Sequence, residues 1–476
     1  MQNTSSEDHM KRELGLLDAT MLVVGSMIGS GIFIVSADIV RQVGSTGWLI
    51  LIWILTGLIT LTAALSYGEL SAMFPKAGGQ YVYLREAYNK LVAFLYGWAL
   101  FAVVQTGTIA AVGVAFAKFT AYLFPSVSDE HVLLDVGVFR INAAQLLAIL
   151  VIVALTWLNS RGVKNGKMVQ TVFTIVKILS LGGLTLLGLI TAFNSELWQA
   201  NWMDAWQAKT WRVELSSFVP ISGAALFAGI VSAMVGSLFS SDAWNNVTFI
   251  AGEIQNPKRN IGLSLFLGTL IVTIIYVSTN VMYLATVPLH DIAFAPADRV
   301  AVVAAQAIFG QVGTVIIAVM IMISTFGCNN GLILSGARVY YTMANDGVFL
   351  KQAAHLNKFE VPGWGLWAQC VWASALCLTG KYGDLLNYVI FVVLIFYALT
   401  ILGVFILRKK RPEIERSYRA FGYPLLPAIY IIAAFTICIG LLIYQPTFTW
   451  PGLIIVLIGI PVYFFMANKK DVPENR

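Results

Sequence analysis

The sequence predicts an all-α, polytopic membrane protein, and three observations predict it. Hydrophobic residues make up 58% of the 476 and charged residues only 11%, against roughly 25% charged in a soluble domain. Mean hydropathy is +0.78, which is more apolar surface than a soluble core of this length could hide, whereas lipid as solvent removes the difficulty. Apolar stretches of roughly 20 residues, the length that crosses a bilayer as a helix, recur about a dozen times along the chain.

In chain order these stretches lie near 16–40, 47–72, 91–124, 142–158, 169–193, 218–250, 262–286, 311–342, 365–380, 384–407, 425–444 and 450–467. The ninth is short and interrupted. Lys and Arg alternate in density between successive loops. Lys76, Arg85, Arg161, Lys258, Arg259 and the run Arg408 to Arg411 fall on one side; Arg41, Lys209, Arg212 and Arg299 fall on the other. The positive-inside rule then places both termini in the cytoplasm and favours an even number of crossings, twelve in all. The organisation that follows is a tail over 1–14, a core of ten spans over 15–407, a cytoplasmic loop over 408–424, two further spans over 425–467 and a tail over 468–476. The polar start of the chain has no apolar h-region or cleavage site, so the first span is expected to stay in the mature protein. The connections near 124–141, 194–217 and 343–364 are too short to fold alone.

Composition also excludes functions. The net charge of +6 is loop charge, and no basic block points to nucleic acid. Cys328, Cys370, Cys377 and Cys438 lie in or near apolar spans and read as small buried hydrophobes. His9, His131, His290 and His355 lie in tails or loops, which leaves no intramembrane histidine for a haem or metal. Metalloprotease, phosphate-loop and nucleophile-elbow motifs are absent, so no cofactor and no enzyme chemistry are expected.

Two spans carry breaks that packing does not require. The first is Gly25-Ser26-Met27-Ile28-Gly29-Ser30-Gly31-Ile32-Phe33. Glycine costs about 1 kcal/mol in a helix interior relative to alanine. Such a run either packs helices closely or unwinds to capture an anion on free N–H groups. The second break is Ser237-Leu238-Phe239-Ser240-Ser241-Asp242-Ala243-Trp244-Asn245-Asn246. That many polar groups at depth must face protein or water. The breaks fall in spans one and six, the spacing of two inverted five-helix halves, and paired discontinuous helices point to a transporter binding site. A half-helix N-terminus favours a carboxylate, and carbonyls freed at the other half favour an ammonium. One unwound pair can hold an α-amino acid.

Among charged residues, Asp18, Asp38, Glu69, Lys118 and Arg338 sit near helix ends, where snorkelling to an interface is the default. Lys177 and Asp242 lie deeper, where ionisable groups are costly and usually functional. Lys177 either forms a structural ion pair or braces the broken first helix against the eighth. Asp242 either caps a half-helix starting at Trp244 or touches substrate.

These residues resemble the amino acid–polyamine–organocation superfamily, and within it the L-type amino-acid transporters, light chains of heteromeric transporters and their bacterial relatives. The resemblance covers nearly the whole chain. It rests on an ordered set: Val24 to Phe33; Tyr67-Gly68-Glu69-Leu70 and Lys76 to Tyr81; Val169-Gln170 with Phe173 and Lys177; Leu238 to Asn245, followed by Glu253, Asn256-Pro257, Arg259 and Asn260; Phe326 to Gly331 with Arg338; and Arg411 to Arg416. It implies a LeuT-like fold of two inverted five-helix repeats plus two extra helices. It implies that Gly29, Ser30 and Gly31 offer backbone to the substrate carboxylate. Backbone near Met27, Ile28, Phe239 and Asp242 would face the α-amino group beside Ser240, with Phe239 as an aromatic gate. Lys177 would replace the sodium of sodium-coupled cousins, with Ser324, Thr325 and Asn330 nearby. The segment 124–142 lacks the cysteine that links the light chains to a heavy chain, so no disulfide-linked heavy chain is expected.

The function these readings predict is sodium-independent exchange of neutral L-amino acids across the cytoplasmic membrane by alternating access, with the lipid bilayer as the other partner. Proton-coupled uptake of an amino acid or polyamine is the rival within the class. A membrane receptor that binds an amino acid without moving it is the rival from outside it.

Overall fold

The computed structural model describes residues 12–136, 139–379 and 382–468. Most of the 1–14 tail and all but the first residue of the 468–476 tail lie outside the described residues.

Helices α1 (Leu16–Met27) and α2 (Gly31–Val43) form one span bent by 40° at a short break. The span ends at Gly44, whose φ of 54° gives the left-handed C-cap that glycine favours. Next come α3 (Thr46–Met73), the short α4 (Gln80–Ala87) and α5 (Lys90–Ala99). The Asn89 side chain caps α5 by accepting from Val92 N–H. A π-helical turn over Leu100–Val104 carries α5 into α6 (Gln105–Leu123). Helix α7 (Ala143–Asn159) starts with a reciprocal cap between Asn142 and Gln145. It is followed by α8 (Val163–Thr191) and α9 (Ser195–Trp202). Helix α10 (Gly223–Ser240) ends at the second break, beyond which α11 (Asn246–Phe249) is a single turn. Helix α12 (Pro257–Thr286) begins on a proline, where its missing N–H costs nothing. After α13 (Leu289–Ala293), α14 runs Val300–Asn345 with a kink at Gly310. The chain ends with α15 (Gly363–Thr379), α16 (Tyr382–Lys410), α17 (Leu425–Tyr444) and α18 (Pro446–Asn468).

Nine described helices are long and apolar enough to cross a membrane, and the bent α1–α2 pair makes a tenth. Helices α7 and α15 have 17 residues each, about 26 Å of rise against an apolar thickness of about 30 Å. The outer surface is that of a membrane protein. Leu150, Leu179, Ile190, Ile432 and Phe465 are each at least 65% exposed, an arrangement that water would penalise and lipid does not.

Two loops hold structure that the sequence pattern did not announce. Strands β1 (Val132–Val136) and β2 (Phe139–Asn142) pair as one hairpin, and β3 (Lys209–Arg212) and β4 (Ser217–Pro220) as another. A hairpin lets a short connection satisfy its own backbone. The second hairpin is anchored by Trp211, whose ring lies 5.3 Å from Phe218 and 4.5 Å from Phe294.

The snorkelling expectation fails for Glu69 and Arg338, both fully buried. Arg338 Nε donates to Glu253 Oε1 at 2.9 Å, tying α14 to the turn after α11. Glu69 at the end of α3 accepts from Arg408 Nε and Nη2 at 2.9 and 2.7 Å and from Ala420 N–H at 2.7 Å. Partners arriving from distant segments neutralise these charges in place, so neither side chain needs the interface. Asp18 is likewise held, accepting from Gly15 N–H and pairing with Lys167 at 2.7 Å.

Candidate functional site

The site begins with backbone. At Ile28 the chain leaves the helical region (φ −74°, ψ 88°), and Ser30 is the residue just before the first turn of α2. Helix α1 therefore ends inside the protein, where its last carbonyls have no intrahelical donors. Side chains from other helices supply them. Lys177 on α8 is 1% exposed. Its ammonium donates to Gly25 O and Ile28 O at 2.7 Å each and to Ser324 O of α14 at 3.2 Å. Ser324 Oγ lies 3.2 Å from both Ile28 O and Gly29 O. Cys328 Sγ donates to Ser26 O at 3.0 Å. Ser324 and Cys328 are one helical turn apart and so share the face of α14 that meets the break. A cation at the C-terminal end of α1 also suits the negative end of its dipole.

The second break mirrors the first. Ser241 N–H turns back to Ser237 O at 3.0 Å and Asp242 N–H to Phe239 O at 3.1 Å. Ala243 takes a left-handed φ of 63°. The helix resumes only at Asn246, so Asp242 does not cap a half-helix starting at Trp244. Its carboxylate accepts from the Tyr397 hydroxyl at 2.6 Å. The Tyr397 hydroxyl also lies 3.0 Å from Asn245 Oδ1, Asn245 Nδ2 donates to Gln80 Oε1 at 2.9 Å, and Gln80 Nε2 donates to Thr400 Oγ1 at 3.0 Å. A polar chain thus runs from the break to α4 and α16.

One side chain joins the two breaks. The Tyr276 hydroxyl of α12 lies 3.0 Å from Met27 O and 2.9 Å from Ser240 O, so its single proton serves a carbonyl from each. The helices approach closely because Gly31 has no side chain: a Cβ there would sit 1.9 Å from Ser240 Oγ and 2.9 Å from Ser240 Cα. Ser240 Oγ is turned into its own helix, donating to Gly236 O at 2.7 Å. Phe239 is buried at the end of α10.

The structure thus brings Met27, Ile28, Gly29, Ser30, Gly31, Phe239, Ser240, Asp242, Lys177 and Ser324 to the two breaks. It does not bring Thr325 or Asn330 to the ammonium. Thr325 points a third of a turn away from Ser324 and donates to Ile321 O of its own helix at 2.9 Å. Asn330 belongs to an amide cluster, donating to Gly166 O at 3.0 Å and Gln170 Oε1 at 3.2 Å and accepting from Asn159 at 2.8 Å. Sequence reasoning missed Tyr276 and Tyr397. A tyrosine in an apolar span is an ordinary core residue until the position of its hydroxyl is known.

A family profile described as amino acid permease matches residues 14–475. The chain belongs to the amino acid permease family. Both breaks, Lys177 and the buried ion pairs of this family member lie inside the matched span. It is 29% identical over 469 residues to the serine/threonine exchanger SteT of Bacillus subtilis, covering 98% of this chain and 99% of that one. It is 30% identical over 468 residues to the large neutral amino acids transporter small subunit 2 of Oryctolagus cuniculus, covering 98% and 82%. It is 27% identical over 472 residues to the Asc-type amino acid transporter 1 of Mus musculus, covering 98% and 83%. Together these likenesses make the chain a relative of the L-type amino-acid transporter family.

Proposed function

We propose that this permease exchanges neutral L-amino acids across the cell membrane, without sodium, by alternating access. The observation that carries the reading is the pair of broken helices joined through backbone atoms, with the Lys177 ammonium on the carbonyls of Gly25, Ile28 and Ser324. The N-terminal N–H groups of α2, from Ser30 to Ile32, suit a substrate carboxylate. Carbonyls of the α1 and α10 ends suit its ammonium. Because the Lys177 charge is covalent and cannot leave, it supplies without sodium the positive charge that those carbonyls attract. The relatives' names, exchanger of serine and threonine and transporter of large neutral amino acids, favour exchange and a neutral substrate.

The same reading has twelve crossings, two inverted five-helix repeats, both termini in the cytoplasm and no disulfide-linked heavy chain. Phe239 closes over the bound substrate before one half rocks against the other. Counterflow in proteoliposomes tests it. Labelled amino acid should accumulate against an internal unlabelled pool, equally in sodium and in choline. Uptake into empty vesicles driven by a pH gradient would replace exchange with proton symport. An absolute sodium requirement would remove the role given to Lys177.

A further inference from the structure

The end of the bundle far from Lys167 carries a group of exposed aromatic rings, and α8 gives their depth. Met168, Val172, Leu179, Leu186 and Ile190 form a stripe along α8, each more than half exposed. From Met168 to Ile190 the helix rises about 33 Å, against a hydrocarbon core of about 30 Å. Lys167, just before the stripe, is paired with Asp18 at 2.7 Å and lies at one edge of the core. The other edge falls near Ile190, so the chain beyond Thr191 enters the headgroup layer.

That stretch is rich in the residues that suit such a layer. Phe193, Trp198 and Trp202 stand in a row with ring centroids 5.9 and 5.3 Å apart, and Trp206 meets Trp48 of α3 at 6.2 Å. Phe193, Met203 and Trp206 are 48%, 81% and 63% exposed. Glu196 and Gln199 are exposed in the same segment. Tryptophan gathers at membrane interfaces because its ring is apolar and its N–H is not.

The segment is tied down rather than loose. Asn194 N–H donates to Ala285 O at 3.2 Å, and Asn201 Nδ2 donates to Leu284 O and Val287 O at 2.8 and 3.0 Å, which fixes it to the end of α12. Thr46 Oγ1 donates to Asn201 O at 2.7 Å and Gly47 N–H to Ala205 O at 2.8 Å, which fixes it to the start of α3. The approach to α3 needs a glycine, since a Cβ on Gly47 would lie 2.5 Å from Ala205 O. The rings are therefore held at the height of the helix ends.

We propose that residues 193–206 are an interfacial anchor, seated in the headgroup layer with Phe193, Met203 and Trp206 against lipid. The occupant is lipid because the patch continues the lipid-facing stripe of α8, at the depth where that stripe runs out. In the topology proposed above this is the outer leaflet. Through its hydrogen bonds the anchor ties that leaflet to α3 and to α12, the helix whose Tyr276 joins the two breaks.

Nitroxide labels on single introduced cysteines read the depth, because the four native cysteines are buried. The full chain is reconstituted in liposomes, and collisions of each label with oxygen and with a water-soluble nickel chelate are measured by power saturation. The oxygen-to-nickel ratio at Phe193→Cys and Met203→Cys should exceed that at Glu196→Cys several-fold and stay below that at Leu179→Cys, midway along the α8 stripe. A ratio equal to that at Glu196→Cys puts the patch in water and overturns the proposal. A ratio equal to that at Leu179→Cys puts it in hydrocarbon and overturns the headgroup seat. Exclusion of both reagents also overturns it: dipolar broadening between labels then marks a second copy of the chain, and its absence another protein. If Phe193→Cys loosens the contact with Trp198 and fails to fold, Met203→Cys alone decides. The readout needs no transport activity, so the anchor stands or falls apart from the exchange reading.

Discussion

Replacing Lys177 with methionine separates what holds this protein together from what lets it work. The ammonium makes three hydrogen bonds, to Gly25 O, Ile28 O and Ser324 O. Bonds to a charged group are worth about 1.5–3 kcal/mol each, a gross gain of about 5–9 kcal/mol. Against this stands the cost of burying an ammonium, several kcal/mol even after relaxation. The two nearly cancel, and methionine fills a similar volume, so the melting temperature in detergent should move by only a few degrees. The tie between α1 and α14 does not cancel. Without Nζ, Gly25 O loses the donor it shares with Ser324 O, and Ile28 O keeps only Ser324 Oγ at 3.2 Å. About 3 kcal/mol less coupling is about a hundredfold in the population of the joined arrangement, at 1.4 kcal/mol per factor of ten. Counterflow per folded molecule should therefore fall by about two orders of magnitude while the fold survives. A rate within threefold of wild type would refute the reasoning, as would a melting temperature that collapses in step with the rate.

Arg338→Met should destabilise the protein by about 3–5 kcal/mol, because it strands the buried Glu253 carboxylate; adding Glu253→Leu should recover most of the loss of melting temperature, and a double variant no better than the single would contradict this. Tyr276→Phe removes the one proton shared by Met27 O and Ser240 O, a cost of about 1–3 kcal/mol; transport should slow about tenfold in the substrate-bound step, measured as the maximal counterflow rate at saturating substrate, and an unchanged rate would show that the bridge is idle. Gly29→Ala brings a Cβ to 3.0 Å from Cys328 Sγ but leaves it 3.7 Å from Cys328 Cβ; it should impair counterflow, and Cys328→Ala in the same chain should restore it if that sulfur is the obstacle.

The places where the chain breaks were legible, because breaking a helix requires residues that a lipid-facing helix has no use for. Gly29 to Gly31 and Ser240 to Asp242 are such residues. Lys177 was legible for a related reason: a charge in the middle of Val163–Thr191 has no interface within reach. Glu69 and Arg338 show the limit of that logic. Both sit toward helix ends, so local sequence allowed an exposed head group, and only chain segments 339 and 85 residues away bring the partners that bury them. The second half-helix was also overestimated. The apolar run through Val247 to Ile250 continues the pattern of a span, yet the left-handed turn at Ala243 delays the helix to Asn246 and it ends at Phe249 before a 3-10 turn, so α11 is a single turn.

Tyr276, Lys177, Ser324 and Cys328 all act on carbonyl oxygens of Gly25 to Gly29 and Ser240. A carbonyl is the same in every residue, so the sequence of α1 carries no record of which donor each one meets. What it records is permission, the small residues that let donors in. The same reasoning divides substrate recognition in two. The groups suited to the two ends of an α-amino acid are backbone atoms, which any member of the family with these breaks can offer. Discrimination between side chains has to come from side chains, and at this break the charged one is Asp242. The side chain that supports it, the Tyr397 hydroxyl on α16, is 155 residues along the chain. A change of preferred substrate within this scaffold is therefore expected to track positions 242 and 397, while the glycines of the first break stay silent about it.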